Sequence, residues 1–396
     1  MNRRAVLLGV VGGLVIGQAL VLLRGLDRDH SVPLREDRGQ ITRVVMQYAP
    51  AAGPIVAPIY TQFLTALGKD IEVVWVVGRQ ADADDLRSRL GAAWPEGRCR
   101  VVAVGKEITT WSKDRFVALS PEGRPGPAFL CAPARSRTAS DSRTNDQEVP
   151  YRLTRSLPRL FGVRSMDAAF DGGDILAAGG RVFAHPAILE KNPPGRGSPF
   201  RSESELKDYL GREMSTPITW LGSSPGDAPP HHIGMYLTVI GKSAFVGDVR
   251  LAESLGGPRP ILDFWPVRGA RRRSETQRAL DPAGGEATDA LKSDLQDRLD
   301  RTARQMGNLG FQVVRVPLLP SATPRAWMSY NNGILETRRG ETVYYMPTFG
   351  APGLDAAAAR LFHRAAGCRV VPIDCSEAWP LGGSLHCLVN VVNRNL

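Results

Sequence analysis

The sequence contains no Cys-x-x-Cys pair, and its six histidines are not grouped with its five cysteines, so no zinc framework is spelled out. It has no glycine-rich phosphate cradle, and no metal or obligatory cofactor is expected. No oxyanion-hole motif is evident, which weakens a conventional Cys-His peptidase. Long blocks of one charge are also missing. The formal net charge of +10 comes from 50 Lys+Arg against 40 Asp+Glu spread along the chain. The sharpest cluster, Arg268 to Arg273, has no interleaved aromatics, so nucleic acid is not an expected partner. What is present suffices for a large core: 396 residues, 43% hydrophobic and 23% charged, enough for one large domain or two average ones.

The N-terminus makes a separate statement. Arg3 and Arg4 precede an uncharged stretch from Ala5 to Leu23, and Arg24 follows it. That length can span a bilayer, and a basic head retained in the cytoplasm would place the rest outside. With no convincing small-x-small cleavage site, residues 1–24 read as an uncleaved signal anchor. Asn2 to Leu7 also loosely resembles a twin-arginine export signal. Residues 25–40 are charged and polar and read as a tether, leaving residues 41–396 as the catalytic domain.

The five cysteines are Cys99, Cys131, Cys368, Cys375 and Cys387, and an odd total leaves at least one thiol unpaired in an oxidising compartment. Two disulfides plus a free Cys387 would satisfy both stability and chemistry. Cys387 follows Gly382-Gly383-Ser384-Leu385-His386 near the end of the chain. Glycines let a backbone approach a substrate closely, which suits a nucleophilic thiol.

Between loop-like stretches (Pro133 to Val149, Asn192 to Ser204, Arg268 to Gly285) the chain repeats one theme of two strands, a helix and an apolar strand. One copy runs from Gly172 to Leu221 and a second from His232 to Val316, with Leu291, Leu295 and Leu299 on one helical face. A third runs from Met328 to Ile373, and the segment from Arg43 to Val76 looks like another. Repeated ββαβ units predict a closed, pseudosymmetric α/β assembly.

From Trp111 onward these units carry an ordered series of motifs. Gly383-Ser384-Leu385-His386-Cys387, followed by Asn390-Val391, is similar to the C-terminal nucleophile strand of the guanidine-modifying, or pentein, superfamily. His232 to Thr238 resembles that superfamily's His-x-Asp strand, and Trp111-Ser112-Lys113-Asp114 its Trp-x-x-Asp element. Phe170 to Asp174 and Ser329 to Asn332 resemble its Gly-Gly-Asp/Asn and Tyr-x-Asn signatures more loosely. Within the superfamily the resemblance is to the peptidylarginine and agmatine deiminases. It implies an α/β propeller of ββαβ units and a guanidino small molecule or arginine-containing peptide as partner.

A guanidinium is planar, cationic and rich in N–H donors, and is best gripped by carboxylates. The resemblance assigns that grip to Asp114, nucleophilic attack to Cys387, and proton transfer to His232. Trp111 and Asn331 would line the substrate pocket. One departure matters: Gly234 stands where the deiminases have the Asp of His-x-Asp. Asp174 or Asp248 would then have to supply the second carboxylate. Three readings follow: a deiminase, an amidinotransferase in which an amine resolves the same intermediate, and a non-catalytic binding protein of this fold.

Overall fold

The computed structural model describes residues 31–121, 127–135, 141–256, 289–321 and 326–395. Its strands follow the apolar runs. Glu72–Val77, rich in Val and buried at all but its first position, lies parallel between Gln40–Tyr48 and Cys99–Ala103. A strand covered on both faces carries this kind of unbroken apolar sequence.

Five sheets repeat one pattern in which an antiparallel pair is followed, after a helical crossover, by a strand parallel to the second. Unit II comprises Val117–Pro121, Ala128–Ala132 and Phe161–Ser165. Unit III comprises Ile175–Ala178, Arg181–Ala184 and Ile218–Trp220. Unit IV comprises Leu237–Ile240, Ser243–Asp248 and Gln312–Pro320, with Trp327–Ser329 added at its edge. Unit V comprises Ile334–Arg338, Glu341–Thr348 and Arg369–Asp374. Unit I is assembled from both ends of the chain, because Val389–Asn395 pairs antiparallel with Gln40–Tyr48. The first strands of all five units contribute to one narrow internal cavity of about 40 Å³, lined in part by Val117, Ala177, Val239, Leu335 and Val391. The units therefore surround a shared centre, and the site lies where their connecting segments meet.

Several expectations are corrected. The stretch from Pro133 to Val149 is not all loop: Asp141–Asp146 and Val149–Ser156 are helical, and Asp146 and Val149 are buried. They are the crossover of unit II, a copy that the polar composition concealed. Residues 31–40 are not a free tether, since Ser31–Pro33 pairs with Val117–Pro121 and Leu34 is buried. On the helix Asp289–Asn308, Leu295 and Leu299 are buried but Leu291 is 51% exposed. The five cysteines are all free, so the two expected disulfides are absent. The expected anchor over residues 5–23 and the basic loop Arg268 to Gly285 lie outside the described residues. Among the described residues, no helix is long and apolar enough to cross a membrane.

Candidate active site

Cys387 sits in the short helical turn Leu385–Leu388, just before the closing strand Val389–Asn395. Gly382 begins the approach with φ of 93°, a value that favours glycine. Gly383 is required by space, because a Cβ there would lie 2.8 Å from Trp111 Cζ3 and 3.1 Å from Cys387 Sγ. The nucleophile turn is tied to the Trp111–Asp114 segment. Lys113 N donates to Cys387 O at 3.2 Å, Ser112 Oγ donates to Leu388 O at 2.8 Å, and Asn390 Nδ2 donates to Ser112 O at 3.2 Å.

These segments border a cavity of about 610 Å³ whose wall includes Trp111, Asp114, Asp171, Asp174, His232 and Cys387. His232 precedes the turn Ile233–Met235, and its ring lies against Gly173, where a Cβ would come within 2.5 Å of it. His232 Nε2 is 3.6 Å from Asp171 Oδ2, and Nδ1 is 3.9 Å from Asp114 Oδ1. Burial by itself would push the imidazole pKa down. The adjacent Asp171 and Cys387, with the charges of Asp114 and Asp174, outweigh it and hold the pKa well above the ordinary histidine value. Burial likewise opposes the charge on Asp171, yet His232 and Lys191 hold that carboxyl well below the usual range.

Asp174 is buried and on the cavity wall, but its carboxylate is engaged: it accepts from Lys191 Nζ and from Asp171 N at 2.8 Å. Lys191 Nζ also lies 2.9 Å from Asp171 Oδ2, so one ammonium bridges two acids. Asp114 is paired with the guanidinium of Arg143, from the helix Asp141–Asp146.

Two expected substrate-binding residues lie elsewhere. Asp248 caps the helix Val249–Ser254, accepting from Leu251 N at 2.8 Å, and pairs with Arg315 at 2.8 Å. It is not on the wall of the Cys387 cavity. Asn331 donates to Phe245 O at 2.7 Å and faces the narrow central cavity instead. Its neighbour Asn332 holds the place expected of it, with Nδ2 3.4 Å from Cys387 Sγ and Oδ1 accepting from Ser384 N at 3.1 Å. Asn332 is the true third member of Tyr330-x-Asn, a spacing that was readable in the sequence. Asp171 was also visible, as the acid opening the Asp171-Gly172-Gly173-Asp174 turn.

Glu36 had no such signal. Its carboxylate receives Lys113 Nζ and His386 Nε2, both at 2.7 Å, directly behind the nucleophile turn. Burial opposes its charge, but Lys113 and His386 hold its pKa well below the usual range. None of the other cysteines is on the wall of the Cys387 cavity. Burial pushes the Cys131 thiol up to about 12 and Cys368 up to about 11. Cys375 and Cys99 are raised for the same reason. Among the described residues no cluster of three or more His, Cys, Asp or Glu is placed to hold a metal.

No protein-family model matches the chain, and no curated protein matches it in sequence. Solved structures do. Agmatine deiminase of C. jejuni is similar over 92% of this chain and 97% of its own, with a TM-score of 0.60 at 12% identity. Agmatine deiminase of Enterococcus faecalis is similar over 93% and 97%, with a TM-score of 0.59 at 13% identity. The chain therefore has the pentein-type mixed α/β fold of these solved structures. At this identity the likeness defines architecture, and the chemistry rests on the site itself.

Proposed function

We propose that this protein hydrolyses a guanidino group to a ureido group and ammonia through a covalent adduct on Cys387. The observation that carries this reading is the meeting of Cys387, His232, Asp114 and Asp171 on one cavity wall, from segments far apart in sequence. The similar solved structures that are agmatine deiminases agree with it.

A guanidinium carbon is resonance-stabilised and resists water, so a thiolate is the appropriate nucleophile. Asp114 would accept N–H bonds from the substrate and fix its plane. The Cys387 thiolate would add to the carbon. The imidazolium of His232, sustained by Asp171, would then protonate the departing nitrogen as ammonia leaves, giving a thiouronium on sulfur. Neutral His232 would next take a proton from water as that water adds to the same carbon. Collapse would expel the Cys387 thiolate and release the ureido product, with one water consumed per ammonia formed. Asn332, beside the sulfur, would position the thiolate. Asp171 and Asp174 on this wall are already bridged by Lys191, so Asp114 is the carboxylate assigned to the substrate cation.

The test is to supply the full chain with arginine, agmatine and an arginine-containing peptide, without any amine acceptor, and to measure ammonia and ureido product together. Equal yields, falling roughly 10³-fold or more in Cys387→Ser, are expected. Product only when an amine is added would favour an amidinotransferase, and none under either condition a binding protein. The stretch Ala5 to Leu23 supports, from sequence alone, a membrane-tethered enzyme acting outside the cytoplasm. Full-length chain recovered entirely in the soluble fraction would contradict that part.

A further inference from the structure

We infer that Arg143 is an internal competitor for the guanidinium clamp and thereby sets how tightly the cavity holds a guanidino ligand. This rests on the reading of Asp114 as the carboxylate that grips the substrate. Arg143 carries the same planar cationic fork as the group proposed to react, and its Nη2 bonds Asp114 Oδ2. The other oxygen, Oδ1, faces His232 at 3.9 Å. That bond takes one of the two oxygens that a ligand's fork needs for a bidentate grip, so ligand and Arg143 compete there.

The two partners differ in a way that suits exchange. The Asp114 side chain is 5% exposed and fixed in the wall, whereas that of Arg143 is 37% exposed and has water to withdraw into. Its helix need not move. Asp146 anchors it, accepting from Thr109 N at 2.8 Å, and Asn145 Nδ2 donates to Glu107 O at 2.7 Å. The same anchor joins the helix to the segment bearing Trp111 and Asp114, which fixes the reach of Arg143. The other cations of the wall are committed elsewhere. Lys191 bridges Asp171 and Asp174, and Arg298 pairs with Asp294 at 2.9 Å. Release of Arg143, by a change of side-chain rotamer, uncovers the clamp.

The experiment needs no knowledge of the substrate. Cys387 is alkylated with chloroacetamidine, a cationic amidine, and separately with neutral iodoacetamide; in each case sulfur displaces halide and forms a thioether. The ratio of the two rates is measured in the wild type and in Asp114→Asn, Arg143→Ala and Arg143→Lys. The expected result is an amidine preference that falls in Asp114→Asn and rises about tenfold in Arg143→Ala, equivalent to roughly 1.4 kcal/mol of competition removed. Arg143→Lys keeps the charge and stem but not the fork, and should fall between, which serves if the Ala variant disturbs the helix. A preference that depends on Asp114 yet is unchanged or lower in Arg143→Ala overturns the competitor while leaving the clamp intact. A preference indifferent to Asp114 removes the clamp and the competitor together.

Discussion

Gly234 and His386 interlock: a Cβ on residue 234 would lie 2.9 Å from His386 Nδ1 and 3.3 Å from Cε1. The position at which the resemblance places a carboxylate is therefore crowded by an imidazole, braced by Glu36 at 2.7 Å. The missing acid is not an open gap that a substitution could refill.

Introducing the aspartate that the resemblance places there should consequently do harm. Gly234→Asp is expected to lose about 1–3 kcal/mol in urea unfolding, from overpacking and an uncompensated charge, without raising turnover. Adding His386→Ala should recover part of that loss, a non-additivity that a double-mutant cycle reads directly. A stable and more active Gly234→Asp would contradict the interlock.

Asp171 sustains the proton on His232, so its removal has a defined sign. In Asp171→Asn the imidazole loses its nearest counter-charge while burial still opposes the proton, and its pKa falls. The alkaline limb of kcat/KM, which reports loss of the imidazolium, should move to lower pH. An unmoved limb would show that another group supplies the proton.

Glu36 links residues 31–40 to the site. A carboxyl held below its ordinary value of 4.5 contributes stability that is complete above that pH and is lost as pH falls through the folded value. Glu36→Gln should cost roughly 2 kcal/mol at neutral pH by unbracing Lys113 and His386, and its deficit relative to wild type should narrow below about pH 4. A deficit independent of pH would mean that shape rather than charge is being lost.

The adjacent asparagines should separate by phenotype. Asn332→Ala loosens Ser384 and the sulfur, and is expected to lower kcat roughly 10- to 100-fold with a smaller effect on KM. Asn331→Ala strands Phe245 O and should chiefly cost stability, about 1–3 kcal/mol. Reversed phenotypes would return the pocket role to Asn331.

How much of this was legible depends on whether a role leaves a local pattern. Apolar runs bounded by glycine marked the strands of units III to V, because strands buried on both faces cannot alternate. Unit II was hidden by the polar run before Val149, whose helix turns Asp146 inward to Thr109. Unit I could not be completed from sequence, since its first strand comes from the far end of the chain. Glu36 was unreadable for the same reason: the partners that make it structural, Lys113 and His386, are distant in sequence, and a charged stretch otherwise looks like a tether. Asp248 shows the opposite failing, as an acid beside a glycine that proves to be a helix cap.

The most direct measurement is the mass of the Cys387 peptide from enzyme quenched in acid during turnover on arginine, agmatine or an arginine-containing peptide. The account predicts a species heavier by the substrate less ammonia, on Cys387 and no other cysteine, accumulating further in His232→Ala if attack outruns hydrolysis there. Ureido product formed with Cys387 unmodified, or an adduct on a different thiol, would contradict it.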